Sequence, residues 1–207
     1  MKAIKFLYIF LVSAFSVVGS ACSDFLDITP DDLITADNFY KSESDFKAAT
    51  SPLYNKVWFD FNDKFYFALG DGRSYNLYAP YSDYVYPFSD LNESGLTGPL
   101  VSAWQSLYNV VQQSNKVIIG INGSSVDPAI KNKYIAEARF MRGTAYWYLV
   151  SLWGNVILSE DPGLLVENPI VNTSPLEDGY EFVMRDLEFA AKYLPETAGQ
   201  AGRLTKY

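Results

Sequence analysis

The chain has 207 residues, 49% hydrophobic and 16% aromatic, enough apolar content for one domain with a packed core and too much for a disordered chain. Its net charge of −8 repels phosphate backbones, so nucleic acid is not an expected partner. The absence of histidine and the single cysteine, Cys22, exclude a Ser-His-Asp triad, a histidine zinc site and an intramolecular disulfide, and nothing calls for a cofactor or metal.

The first stretch, MKAIKFLYIFLVSAFSVVGSAC, sets a basic start (Lys2, Lys5) before an apolar run from Phe6 to Val18 and the small residues Gly19, Ser20 and Ala21. That is the three-part pattern of a secretory signal peptide, too short and wrongly flanked for a stable membrane-spanning helix. Small residues directly before a cysteine also end bacterial lipoprotein signals, here with Gly19 in the place where leucine is usual. Residues 1–21 are therefore read as a lipoprotein signal peptide and Cys22 as the lipid-attachment site. Acyl chains there would hold the protein at a membrane. Residues 22–40 follow as a lipidated tether and extended segment, acidic at Asp24 and Asp27 and interrupted by Pro30.

From residue 41 onward the pattern is helical. Ser42 or Ser44 can cap a first helix running to about Phe59, with Pro52 as a kink or break. Residues 60–98 show no helical period. Tyrosines and phenylalanines lie among Gly, Asp, Asn, Ser and Pro, which predicts a long irregular loop with a job. Its candidates for ligand contact are Arg73, Tyr75, Asn76, Tyr78, Tyr81, Tyr84 and Tyr86. Short strands are expected at most around Phe65–Leu69 and Val156–Leu158. The period returns from Pro99, with Leu100, Trp104, Leu107, Val111, Ser114 and Ile118 on one stripe and Gly120 and Gly123 closing it.

Asp127 and Pro128 read as N-cap and first position of a helix that continues to Gly154. Its stretch AEARFMRGTAYWYLVSLWGNVIL is aromatic on all sides with small residues between. This predicts a helix buried on most sides, Trp147 included, that binds no ligand itself. Arg139 and Arg142 are expected in ion pairs within the bundle, with Glu137 in the same network. A last helix starts near Ser174–Pro175 and stops at Leu194–Pro195, with Tyr180, Val183, Leu187, Ala190 and Leu194 facing inward and Gly179 as a weak point. The fold class is thus mostly α, an array of helical hairpins with long irregular loops.

Four stretches, in order, resemble one family, the SusD/RagB nutrient-uptake lipoproteins of the Bacteroidetes outer membrane. They are CSDFLDITPDDLITADNFY, WQSLYNVVQQSNKVI, AEARFMRGTAYWYLVSLWGNVIL and YEFVMRDLEFAAKYLPETAGQAGRLTKY. The resemblance implies a tetratricopeptide-like fold and makes residues 41–207 a SusD-like N-terminal helical domain. It implies a non-catalytic lipoprotein, anchored in the outer membrane and facing the cell surface, that captures oligosaccharide for a SusC-type TonB-dependent transporter. Family members are more than twice as long, so the chain is read as truncated at its C-terminus, with an exposed apolar face on its last helix pair. A non-binding helical adaptor or fragment, and a surface glycosidase built on two carboxylates, are the alternative functions.

Overall fold

Helix starts are set by side chains that satisfy the free N–H groups of a first turn. The computed structural model describes residues 39–167 and 169–207, so the signal-peptide and Cys22 readings lie outside the described residues, as does the tether up to residue 38. Helix α1 (Glu43–Thr50) opens with a reciprocal capping box: the Ser42 hydroxyl accepts from the Asp45 N–H, and the Asp45 carboxylate accepts from the Ser42 N–H at 2.8 Å. Pro52, without an N–H, breaks the helix, and the chain turns through 3₁₀ segments at Ser51–Tyr54 and Lys56–Trp58. The Trp58 indole donates to the Leu53 carbonyl at 2.8 Å and locks this corner.

Residues 59–72 correct the expected loop. They are helical, with π turns at Phe61–Phe65 and Ala68–Gly72, and the strand expected at Phe65–Leu69 lies inside this helix. Its buried face is Phe61, Phe65, Ala68 and Gly72, spaced as a helix requires. Phe59, Tyr66 and Phe67 stand on the other side and hide that period in the sequence. A four-residue helix α2 (Tyr86–Ser89) follows within the loop region.

The long helices α3 (Gly98–Gly123) and α4 (Pro128–Trp153) are joined by the short turn 124–127 and pack as a hairpin. Asp127 Oδ1 accepts from the Ala129 N–H at 2.8 Å, and Gly154, at φ +74°, ends α4. Lys131 Nζ donates to the carbonyls of Asn122 and Ser124, both at 2.8 Å, which satisfies the end of α3. α3 passes through Gly120 instead of stopping there. A Cβ at Gly120 would lie 2.1 Å from the Tyr40 ring, so the missing side chain seats that ring.

After α4 the chain forms a short helix α5 (Pro162–Glu167) and the last helix α6 (Leu176–Tyr193). Val156 makes one antiparallel bridge with Ser174, the remnant of the strand expected at Val156–Leu158. α4 lies between α3 and α6 and also touches α1, so Ala136, Ala138, Ala145, Tyr146 and Leu149 are fully buried. The α4–α6 contact is close because both helices use glycine. A Cβ on Gly179 would meet Val150 Cγ2 at 2.7 Å, so this glycine is a packing requirement rather than a weak point. The inward face of α6 carries Phe182, Val183 and Asp186. Tyr180 is exposed, against expectation, and Leu176 and Met184 are exposed on the same helix.

Two polar networks knit the helices. Arg142, buried, donates from Nε and Nη2 to both oxygens of the buried Asp186 at 2.7 and 2.8 Å, and from Nη1 to Asn115 Oδ1 at 2.6 Å. Asn115 Nδ2 reaches the Ser159 carbonyl at 2.8 Å. Arg139 stands 3.8 Å from Asp186, so both arginines serve the bundle as expected. Glu137 does not join them. Two positions from Arg139, it sits on another face and accepts from Arg203 Nη1 at 2.5 Å. Arg203 also donates to Thr50 Oγ1, the Lys47 carbonyl and Ser51 Oγ, tying the C-terminal segment to the end of α1. Burial, the largest influence, holds the Glu137 carboxyl above the usual carboxylate range against the pull of Arg203.

Two phenols pin the segment after α4. Tyr108 Oη accepts from the Ile157 N–H at 2.9 Å, and Tyr146 Oη accepts from the Ser159 N–H at 2.8 Å. Burial pushes Tyr108 up to about 12 and raises Tyr146 as well.

Candidate functional site

The candidate residues lie on the segment between the 59–72 helix and α3. Its root is fixed: the buried Ser89 hydroxyl lies within 3.3 Å of the Gly72, Leu77 and Val85 carbonyls, and Val85 and Phe88 anchor it in the core. The Asp71 carbonyl accepts from the Leu77 N–H at 3.0 Å, which closes the chain into a tight return. Tyr75 takes a left-handed backbone, φ +63°, unusual for a side chain of its size, and this turns its ring beside that of Tyr78, with centroids 5.3 Å apart.

Tyr86 joins this group. A hydrogen bond to the Asp90 carboxylate raises its hydroxyl pKa, with smaller influences from the Asp90 charge, burial and neighbouring Tyr78. Arg73 pairs with Glu93. Asn76 and Tyr84 are exposed on the same segment, and Tyr81 is 99% exposed with no ring contact among the described residues. Tyr75 and Tyr78 are thus brought together on a firm root, with Tyr86 bonded to Asp90 and Arg73 paired with Glu93 on the same segment. The arrangement offers aromatic faces and hydroxyls to solvent, a surface on which the C–H faces of a polar ring ligand can stack.

Next to the loop root lies a concavity of about 530 Å³ between the 59–72 helix and the last turns of α4, lined by Tyr66, Phe67, Asp71, Trp147, Tyr148 and Ser151 among others. Trp147 is 47% exposed, which overturns the expectation that the aromatic helix buries it. The neighbours explain this: Tyr146 points into the α3–α6 side and packs on Phe182 at 4.7 Å, and Trp147, one residue on, is rotated away from both helices. An all-round aromatic helix gives no signal in the sequence of which ring faces out.

Among the described residues, no three His, Cys, Asp or Glu side chains gather as a metal site, and no helix is long and apolar enough to cross a membrane.

The described residues form a hairpin array of helices that holds an aromatic loop on its surface, with the buried charges of Arg142 and Asp186 paired between helices. The SusD-like family model, described as starch-binding and associating with the outer membrane, matches residues 24–206. A SusD-like protein of Bacteroides ovatus is 38% identical over 202 residues, covering 95% of this chain and 36% of its own length. A crystal structure with xylogluco-oligosaccharide shows 40% identity and a TM-score of 0.70, covering 78% of this chain and 32% of that one. A SusD-like carbohydrate-binding protein of Bacteroides fragilis gives 27% identity and a TM-score of 0.67 over 81% of this chain and 35% of its own. The chain belongs to the SusD-like family. It spans about a third of the length of these relatives.

Proposed function

We propose that the protein is a non-catalytic glycan-binding lipoprotein of the outer membrane surface. It captures oligosaccharide on the tyrosine loop and delivers it to a SusC-type TonB-dependent transporter, anchored through acyl chains on Cys22. The observation that carries this reading is the exposed Tyr75–Tyr78 pair with Tyr86 and Arg73 on a fixed root, within a fold 40% identical to one solved with xylogluco-oligosaccharide. Stacking on such rings, with hydroxyls and a guanidinium beside them, suits neutral sugars better than phosphates, given the net charge of −8.

Affinity gel electrophoresis on a panel of polysaccharides tests it. Wild-type protein is expected to be retarded by at least one, and Tyr75→Ala or Tyr78→Ala to run as in a blank gel with unchanged melting. Retention by none, or release of reducing sugar that a single Asp or Glu substitution abolishes, overturns it. Incorporation of labelled palmitate, lost in Cys22→Ser, tests the anchor, and co-purification with the transporter tests the partner.

A further inference from the structure

We propose that the concavity between the 59–72 helix and the end of α4 is a second carbohydrate subsite, separate from the tyrosine loop, with Trp147 as its stacking ring. The proposal rests on the glycan-binding reading above and extends it to a place lined by none of the loop tyrosines. At about 530 Å³ it falls within the ~300–1,000 Å³ of ordinary small-molecule sites and holds roughly one or two pyranose rings.

The platform is braced. The Trp147 ring lies 4.8 Å from Tyr148, which in turn packs on Phe61 at 4.6 Å and on Tyr66 at 6.4 Å. Phe61 is buried, so the Tyr148 ring that both Trp147 and Tyr66 touch is rooted in the core. A ligand meeting rings already held in place loses little entropy in ordering them. Phe67 gives a third partly exposed ring, and at Gly70 no atom lies within 4 Å of where a side chain would start, which leaves the rim open.

The polar groups decide the ligand class. Asp71 and Ser151 line the same space, and neither side chain makes a hydrogen bond or ion pair among the described residues. An apolar partner would desolvate Asp71 without return, and an anionic one would be repelled by it. A neutral ring with C–H faces and hydroxyl edges satisfies both: its faces stack on Trp147 and Tyr66, and its hydroxyls donate to Asp71. Asp71 also carries the carbonyl that closes the tyrosine loop, so rim and loop root are one piece of structure.

Fluorescence of the full chain tests the assignment, because Trp58 is buried and Trp104 and Trp153 are only partly exposed, which leaves Trp147 as the most exposed of the four tryptophans. The probes are xylogluco-oligosaccharide and laminarin. Binding is expected to shift the emission to the blue and reduce acrylamide quenching, and Trp147→Phe to remove that response. Trp147→Ala and Tyr66→Ala are expected to weaken binding about tenfold with unchanged far-UV circular dichroism. If both alanine variants bind as wild type while Tyr75→Ala does not, the subsite is overturned and glycan capture by the loop stands. If wild type binds no sugar, both fall. Shielding of Trp147 that follows protein concentration rather than sugar means that a second copy covers the groove, and this also overturns the subsite.

Discussion

Replacing Arg142 with alanine should be the most damaging single change in the bundle. Arg142 is 1% exposed and its partner Asp186 is 0% exposed, so the substitution leaves a carboxylate with neither water nor its two short hydrogen bonds. Removing one member of such a buried pair costs about 3–5 kcal/mol. Arg139 moderates this: its Nη1 is 3.8 Å from Asp186, its Nε has no acceptor, and Phe189 holds the guanidinium at 4.2 Å. With that cation at hand the expected loss is near ~3 kcal/mol, which for a chain of this size lowers Tm by roughly 6–12 °C. Replacing both partners, Arg142→Met with Asp186→Leu, removes the charges together and should return to within about 1 kcal/mol of wild type. Urea unfolding followed by far-UV circular dichroism measures both. A loss below about 1 kcal/mol for Arg142→Ala, or a double variant as unstable as the single one, would refute the reasoning.

Gly179→Ala should cost about 1–3 kcal/mol, because its Cβ falls 2.7 Å from Val150 Cγ2, and Val150→Ala in the same chain should restore much of the loss in a thermal melt. At alkaline pH, Tyr108 keeps its proton up to about 12 when folded but only to about 10 when unfolded. Its share of stability is therefore complete below pH ~10 and lost as the pH rises through about 12. Tyr108→Phe should flatten that limb of a pH–stability curve, at about 1 kcal/mol cost near neutrality for the Ile157 hydrogen bond. Trp147→Ala should cost only about 1–2 kcal/mol, well below the ~3–5 of a buried tryptophan, since half its surface is already in water.

The long helices were legible because their limits are local chemistry. Asp127 with Pro128, Pro52 and the Leu194–Pro195 stop act within a turn of themselves, and the structure places each where its backbone chemistry demands. The 59–72 helix was not legible, because Ala68 and Gly72 carry half of its buried face while the rings of Phe59, Tyr66 and Phe67 point outward. In α6, Tyr180 and Phe182 compete for the inward position, and the glycine contact at Val150 decides the phase in favour of Phe182. The pairing of Glu137 with Arg203 spans 66 residues, and no local rule connects them. The tyrosine loop was visible as a composition, but the left-handed turn at Tyr75 that gathers two of its rings was not.

The Arg203 tie has a consequence for the order in which the chain assembles. Its guanidinium supplies the carbonyl of Lys47, near the end of α1, with a donor from 156 residues away. Lys47 therefore leaves the ribosome 156 residues ahead of its partner. Until Arg203 arrives α1 has only its local ties, the Lys47 carbonyl accepting from the Ser51 N–H and, at 2.6 Å, from the Ser51 hydroxyl. Contacts of such long sequence separation form slowly, because the loop they close must be ordered first. α1 is thus tied to the Arg203 segment only after that segment has been made, and until then it rests on its own cap and turns.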